Sequence, residues 1–393
     1  MAKLSEVFTL QMGKTPARAR EEYWNTGDNA WVSIADLSTF EKYVGHTKET
    51  ISDLAVKDSG IKPVPADTVI MSFKLSIGKT AITVEPVYTN EAIMAFIPNG
   101  RYPVCSNYFY HLFRGRDWSR GTNRAVMGTT LNKATLGEID IDIPTLEEQQ
   151  QIAELLDEVD ALIYCHKQQL VKLDELVKSR FIELFGDPET NPNRWSISKL
   201  SEFCDLQNGY AFKSDDYLTN STVLNCRMSN IRPDGGFDAD YHPKYLPDLF
   251  WEKYKDYRLV DGDVIIAMTD MASDPKILGV PTIVRTNGKK FLLNQRVGKL
   301  TFFDNTAINN VYLMFVLSQK RIRQQLVKSA GGSTQINVGK PAVLGVEFFV
   351  PPMKLQEQFA AFVEQTDKSK AAVQRSIVEL EELKKSLVQQ YFG

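Results

Sequence analysis

The sequence predicts an α+β protein built as a pseudo-two-fold internal repeat, in which two similar mixed α/β domains are separated by a pair of long antiparallel coiled-coil helices. Three observations predict it. The segment IPTLEEQQQIAELLDEVD from Ile143 matches VPPMKLQEQFAAFVEQTD from Val350 at a constant offset of 207. LSEVFTLQMG from Leu4 matches LSEFCDLQNG from Leu200 at an offset of 196, so the region upstream of those segments is duplicated as well. Both copies then continue with apolar residues at heptad spacing for about forty residues, far beyond an ordinary core helix.

In chain order, residues 1–143 form the first mixed domain, 144–186 the first long helix, 187–350 the second mixed domain and 351–393 the second long helix. Short runs such as AWVSIADL, DTVIMSF, TAITVEPVY and EIDIDIP, bounded by Gly, Pro, Asn and Asp, predict strands. Their period of two is clear in Ile139, Ile141 and Ile143, and Val346, Phe348 and Val350 repeat it. Between the anchors the offset drifts. DTVIM from Asp67 resembles GDVII from Gly262, and GTTLNK from Gly128 resembles GSTQIN from Gly332. This is the pattern of a shared scaffold carrying different loops.

Pro144 and Pro351 end the last strand of each domain, and LEEQQQ and KLQEQ open the helices, negative charge in the former suiting the N-terminal dipole. At a rise of 1.5 Å per residue each helix is roughly 60 Å long. The first heptad core is Ile152, Leu156, Val159, Ile163, Leu170, Leu173, Val177 and Leu184, with Leu155, Leu162 and Leu176 widening the stripe. The second is Phe359, Val363, Val373, Ile377, Leu380, Leu387 and Tyr391, with Phe362 and Leu383 alongside. Breaks at His166, Arg180, Thr366, Lys370 and Lys384 predict an imperfect coil. Equivalent halves that bury equivalent surfaces imply a two-fold axis, antiparallel helices and domains at opposite ends of a rod.

Composition narrows the function. With 393 residues, 43% hydrophobic and 24% charged, the chain has material for at least two cores, and no apolar run approaches the ~20 residues of a membrane span. The start, MAKLSEVFTL, lacks the apolar stretch of a signal peptide, so a cytoplasmic location is expected. Cys105, Cys165, Cys204 and Cys226 are widely spaced, as are His46, His111, His166 and His242, which speaks against a disulfide framework, a metal site or a catalytic histidine. There is no G-x-x-x-x-G-K-[ST] phosphate loop, no G-x-G-x-x-G after a strand and no N-P-P-[FY] motif. The chain reads as a binding protein without a catalytic site.

A net charge of −3 at first speaks against nucleic acid. Residues 146–186 carry −5 and residues 353–393 carry none, however, which leaves +2 on the remainder. In GKTPARAR (13–20), Gly13 and Pro16 shape a turn that displays Lys14, Thr15, Arg18 and Arg20. Lys74 and Lys79 follow. RGRDWSRGTNR then places Arg114, Arg116, Arg120 and Arg124 within eleven residues around a Trp, a density suited to phosphate although solvation is the plain alternative for any one of them. MGTTLNK offers Thr130, Asn132 and Lys133, and GGSTQINVGK offers Ser333, Thr334, Gln335, Asn337 and Lys340, side chains able to pair with base edges or phosphates. In the second domain Lys213, Arg227, Arg232, Lys276, Asn294, Gln295 and Arg296 complete the candidates.

Over essentially its whole length the chain resembles the specificity subunits of type I restriction-modification enzymes. The resemblance rests on the turn Gly13-Lys-Thr-Pro16 and the stretch Trp31-Val-Ser-Ile-Ala-Asp-Leu37. It rests also on Gly128-Thr-Thr, Pro144 and Glu148-Gln149 in copy one, and Gly332-Ser-Thr, Pro351 and Glu357-Gln358 in copy two. Copy two departs at its start, where Gly209-Tyr-Ala-Phe replaces the Gly-x-Thr-Pro turn, so contacts from that turn do not transfer. The resemblance implies two target-recognition domains, 1–143 and 187–350, alternating with central and C-terminal conserved helical regions. It further implies two modification subunits docked on the helical pair, bringing S-adenosylmethionine to methylate adenine N6, and restriction subunits that use ATP and Mg to translocate and cleave DNA. None of these cofactors is expected in this chain. A DNA-binding adaptor of another defence or chromosome-organising complex, or an enzyme with an unrecognised nuclease or transferase site, are the competing expectations.

Overall fold

The computed structural model describes residues 1–74, 76–118, 131–303 and 308–393. They divide into two compact units, Met1–Gln169 with Val373–Gly393, and Leu170–Ala372. The division falls inside the two long helices, Leu146–Phe185 and Met353–Phe392, so each unit holds one mixed domain and a stretch of both helices.

In the first unit, four antiparallel strands are ordered Phe8–Met12, Ile93–Pro98, Val69–Ser72, Thr80–Ile82. Three more are ordered Glu49–Ile51, Trp24–Val32, Tyr88–Thr89, the last pair parallel. The helix Ser106–Gly115 lays Phe109 and Phe113 on the first sheet, their rings 4.9 Å from Phe8 and 4.4 Å from Phe96. The end of the second long helix joins this core through Phe392, 5.4 Å from Tyr108, and through Val388, which faces Gly115 so closely that a Cβ there would lie 2.6 Å from it.

The second unit repeats the plan. Its strands run Cys204–Asn208, Val297–Phe302, Val264–Ala267, Pro281–Ile283, all antiparallel. A second sheet runs Tyr245–Leu246, Val223–Cys226, Lys290–Leu293, Arg258–Leu259, in which the middle pair is parallel as in the first unit. The helix Asn310–Leu317 corresponds to Ser106–Gly115, with buried Tyr312 standing where Tyr108 stands in the first unit.

Several strand expectations are shorter than the alternation suggests. Only Asp140–Ile141 is strand, paired with Ala2–Lys3, and Ile139 and Ile143 flank it half-buried. AWVSIADL splits because Ser33 accepts the Asp36 amide at 3.1 Å and Asp36 accepts the Ser33 amide, a capping box that starts the helix Ile34–Leu37. TAITVEPVY splits around Val84 and Pro86, which has no ladder donor.

Along the helices, Leu156, Val159, Ile163 and Val177 are buried, as are Phe359, Val373 and Ile377. Ile152, Leu170, Leu173, Val363, Leu380 and Leu387 are half-buried. Leu155, Leu162 and Leu176, which widen the apolar stripe beyond the heptad core, are exposed by 37%, 48% and 49%. Three of the polar breaks find partners: Lys384 reaches Asp160 at 2.5 Å in the first unit, Lys370 reaches Asp174 at 2.6 Å in the second, and the Thr366 hydroxyl donates to the Phe362 carbonyl. Within each unit the two helix stretches run antiparallel: Asp160 meets Lys384 and Lys167 meets Glu381 in the first, and Asp174 meets Lys370 and Phe181 meets Phe359 in the second.

Candidate nucleic-acid interface

In the first unit the strand Phe8–Met12 ends in a tight turn. The Gly13 amide donates to the Ile93 carbonyl at 3.1 Å and the Lys14 amide to Thr89 at 2.8 Å. A Cβ at Gly13 would lie 2.1 Å from the Thr89 carbonyl oxygen, so only glycine fits. The loop that grips it is shaped by Asn90, whose Oδ1 accepts the Ala92 amide at 2.8 Å while its Nδ2 donates to the Thr15 hydroxyl at 3.1 Å. The Thr15 hydroxyl in turn donates to the Glu91 carboxylate.

The second unit builds the same turn from different side chains. The Gly209 amide donates to Val297 at 3.3 Å and the Tyr210 amide to Leu293 at 2.9 Å, and a Cβ at Gly209 would lie 2.2 Å from the Asn294 carbonyl oxygen. Asn294 Oδ1 accepts the Arg296 amide at 3.1 Å, as Asn90 accepts that of Ala92. Gln295 and Arg296 are exposed on this loop, and the Asn294 amide bonds the Cys226 carbonyl, which sets Arg227 beside it. The loop Gly331–Asn337 abuts the same end, because its strand Gln335–Asn337 pairs with Thr269–Met271 and the Val338 amide donates to Met268. The scaffold that joins these strand ends is thus common to both units; the displayed residues are not.

The candidates divide by what their side chains already hold. Arg18 is bidentate to Glu49 and lies 3.7 Å over Trp24 and 4.9 Å over Trp31. Arg20 bonds Glu22 at 2.8 Å and Asp58 at 3.2 Å; its hydrogen bond to Glu22 raises its pKa further. Arg232 pairs with Asp238 against Tyr241, Lys276 with Asp274 at 3.1 Å, and Lys340 with Asp205 at 2.6 Å. Asn132 caps the helix Lys133–Gly137 by accepting the Thr135 amide, and Asn337 accepts the Thr269 hydroxyl at 2.6 Å.

Other cations carry no carboxylate partner among the described residues. Lys14 donates to the Ser59 carbonyl and Lys79 to the Ser38 hydroxyl at 2.5 Å, while Lys74 lies 5.3 Å over Phe73. Arg114 donates to the Glu41 carbonyl at 3.0 Å and Arg116 to that of Asp140 at 3.3 Å, and burial holds the Arg116 pKa below the usual guanidinium range. Lys133 and Lys213 are exposed, as are Ser333 and Thr334, with Gln335 half-buried. Arg120, Arg124 and Thr130, with the Gly128-Thr-Thr loop, lie outside the described residues.

Two structural pairings escaped sequence reasoning, which names Asn294 and Gln149 without their counterparts. Asn90 is one: it precedes Asn294 by 204, the offset that also relates Gly128 to Gly332, and that arithmetic could have found it. The other is Gln149 with Gln356, both fully buried at the helix starts. Gln149 accepts the Cys105 amide at 2.9 Å and donates to the Pro103 and Pro144 carbonyls; Gln356 accepts the Asn309 amide and donates to the Pro351 carbonyl, both at 2.8 Å. The residue repeated after each proline is therefore Gln149 and Gln356, at the constant offset of 207, and not Glu148-Gln149 and Glu357-Gln358. Among the described residues no group of His, Cys, Asp and Glu is placed to hold a metal, and no helix is long and apolar enough to cross a membrane.

Comparison with known proteins places this geometry. The family model described as the type I restriction modification DNA specificity domain matches residues 1–175 and again 192–382. The type I restriction enzyme MjaIX specificity subunit of Methanocaldococcus jannaschii is 24% identical over 98% of this chain and 90% of its own length. The MjaVIII specificity subunit of the same organism is 24% identical over 71% of this chain and 67% of its own length. A chain from a study of assembly and conformational transition of the type I restriction-modification system superposes with a TM-score of 0.62 at 16% identity, covering 100% of this chain and 96% of its own. The type I S subunit from M. genitalium superposes at 0.53 with 14% identity, covering 100% and 95%. With the model matched twice, once over each copy of the repeat, this chain belongs to the type I restriction-modification DNA specificity family.

Proposed function

We propose that this chain is the sequence-reading subunit of a type I restriction-modification complex, recognising a bipartite, asymmetric DNA target with one half-site per domain. One observation carries the reading. Both units hold the same glycine turn clamped by an asparagine loop at the strand ends, yet that frame carries Lys14, Thr15 and Glu91 in one and Gln295 and Arg296 in the other, where Tyr210 packs on Tyr254. A conserved frame with different side chains is what two different half-sites require, since base edges are read by side-chain identity while phosphate contacts fix position.

The chemistry belongs to partners in this reading. Two modification subunits bring S-adenosylmethionine, flip the adenine and methylate N6; restriction subunits bring ATP and Mg. The exposed Leu155 and Leu162 on the first long helix supply apolar surface for such a subunit in the first unit. The complex acts in the cytoplasm, where the DNA is. The test is single-molecule sequencing of N6-methyladenine in host DNA, with and without this gene beside its methyltransferase gene. A bipartite motif that disappears on deletion supports the reading. An unchanged methylome with an active methyltransferase present overturns it in favour of an adaptor for another complex.

A further inference from the structure

The most concentrated unneutralised positive charge among the described residues of the second unit lies on the helix Lys320–Ser329, which sequence reasoning passed over. From Ile308 to Val346 the chain has five basic residues and no acidic one: Lys320, Arg321, Arg323 and Lys328, and Lys340, which is paired with Asp205. Ile322 and Leu326 bury the inner face of this helix. Arg321 donates to the Pro188 carbonyl at 2.7 Å, and Arg323 to the carbonyls of Pro275 and Lys276 at 3.1 and 2.7 Å. Carbonyl acceptors orient a guanidinium but leave its full charge in place.

Lys320 and Lys328 are exposed and have no carboxylate partner among the described residues. With Pro275, Arg323, Gln324 and Val327 they line an open groove of about 500 Å³. The helix then runs directly into the loop Gly331–Asn337 that displays Ser333 and Thr334. The offset of 204 that relates Tyr108 to Tyr312 and Gly128 to Gly332 sets Lys320 on Arg116 and Lys328 on Arg124, so basic residues recur at both positions of the repeat.

We infer that Lys320 and Lys328, with Arg323 between them, bind the phosphodiester backbone of duplex DNA beside the half-site read by the second domain. The inference rests on the DNA-reading function proposed above. The groove sets the cations of Lys320, Arg323 and Lys328 beside Ser318 and Gln324, whose side chains can also donate to phosphate oxygens, a set that suits the backbone of a duplex. Each lysine that neutralises a phosphate releases counterions, and its loss lowers the slope of log K against log salt by about 0.9.

The test measures binding of the full chain to a fluorescein-labelled mixed-sequence duplex across a salt series, for the parent, for K320Q/K328Q and for K320R/K328R. The expected result is a slope shallower by about two in the glutamine variant and restored in the arginine variant. The motif methylated in cells should keep its sequence, because phosphate contacts position without specifying. A parent-like slope in the glutamine variant overturns this assignment while leaving the DNA-reading function standing. A parent chain that fails to bind the duplex at all overturns the DNA-reading function first.

Discussion

Replacing Gln149 by leucine removes a side chain of zero exposure that fastens the first long helix to its domain. The shape is nearly kept, so the cost is almost wholly polar. The Cys105 amide loses its acceptor and the carbonyls of Pro103 and Pro144 lose their donor, at distances of 2.9, 3.1 and 3.0 Å. An orphaned donor in this half-buried setting costs about 1–2 kcal/mol, and two carbonyls that retain partial access to water add about 1 more. A total of about 2–3 kcal/mol, divided by a urea slope near 2 kcal/mol per molar, lowers the midpoint of the first unit's unfolding by roughly 1–1.5 M. Hydrogen exchange read on peptides spanning 103–105 follows that unit separately and should show the Cys105 amide exchanging faster. Q149E should be worse than Q149L, because a carboxylate accepts from the Cys105 amide but turns lone pairs and a buried charge toward two carbonyls. Gln151, exposed two residues on, is the control and its substitution by leucine should leave the midpoint in place. A Q149L midpoint within roughly 0.3 M of the parent, with the Cys105 amide still protected, would refute the clamp.

The Lys384–Asp160 pair, with side chains 24% and 36% exposed, should respond asymmetrically. K384M keeps apolar volume against the facing helix and should change stability by less than about 1 kcal/mol, whereas D160A strands a half-buried lysine and should cost about 1–2 kcal/mol by urea titration; equal losses would contradict this account. The thiols should separate in a disulfide-exchange assay at pH 8. Cys165 is exposed and should react at once. Burial pushes Cys204 to about 12 and Cys226 higher still, so their reactive thiolate forms are scarce until the pH nears those values and both should react only on unfolding. Fast reaction of either in the native chain would show that their surroundings are wet.

Much of this architecture is legible in the sequence because repetition is a signal that needs no knowledge of packing. The offsets of 207 and 196 locate both copies, and the heptads locate both long helices. Inside the domains the signal fades. NYFYHLF and NVYLMFVL carry the aromatic and branched residues that favour strands, yet form the helices Ser106–Gly115 and Asn310–Leu317, because packing on a sheet overrides local preference. Charge misleads in a similar way. Counting arginines in GKTPARAR does not reveal that Arg18 and Arg20 meet Glu49, Glu22 and Asp58 from strands and helices up to 38 residues away. The basic helix after Gln319 was missed for the converse reason: its cations are spaced for a helix face, and only the fold shows that no carboxylate of the described residues comes to meet Lys320 or Lys328.

The lysines of the ion pairs on the long helices do not obey the repeat, although the carboxylates do, Asp160 and Asp174 recurring as Asp367 and Glu381, and the departure of the lysines carries information. By the offset of 207, Lys384 corresponds to Val177 and Lys370 to Ile163, both of which are buried apolar residues. Each lysine therefore stands where the other copy has core, and each meets a carboxylate of the first helix, Asp160 or Asp174, while Lys370 also lies 3.6 Å from Asp367 on its own helix. In the same antiparallel register, a first helix paired with another copy of itself would set Asp160 against Val177 and Asp174 against Ile163, leaving both carboxylates facing apolar side chains. A polar group at a core position selects among otherwise similar pairings by making the wrong ones costly. Two copies of one ancestral helix, similar enough to confuse, are in this way made different enough for the first to prefer the second.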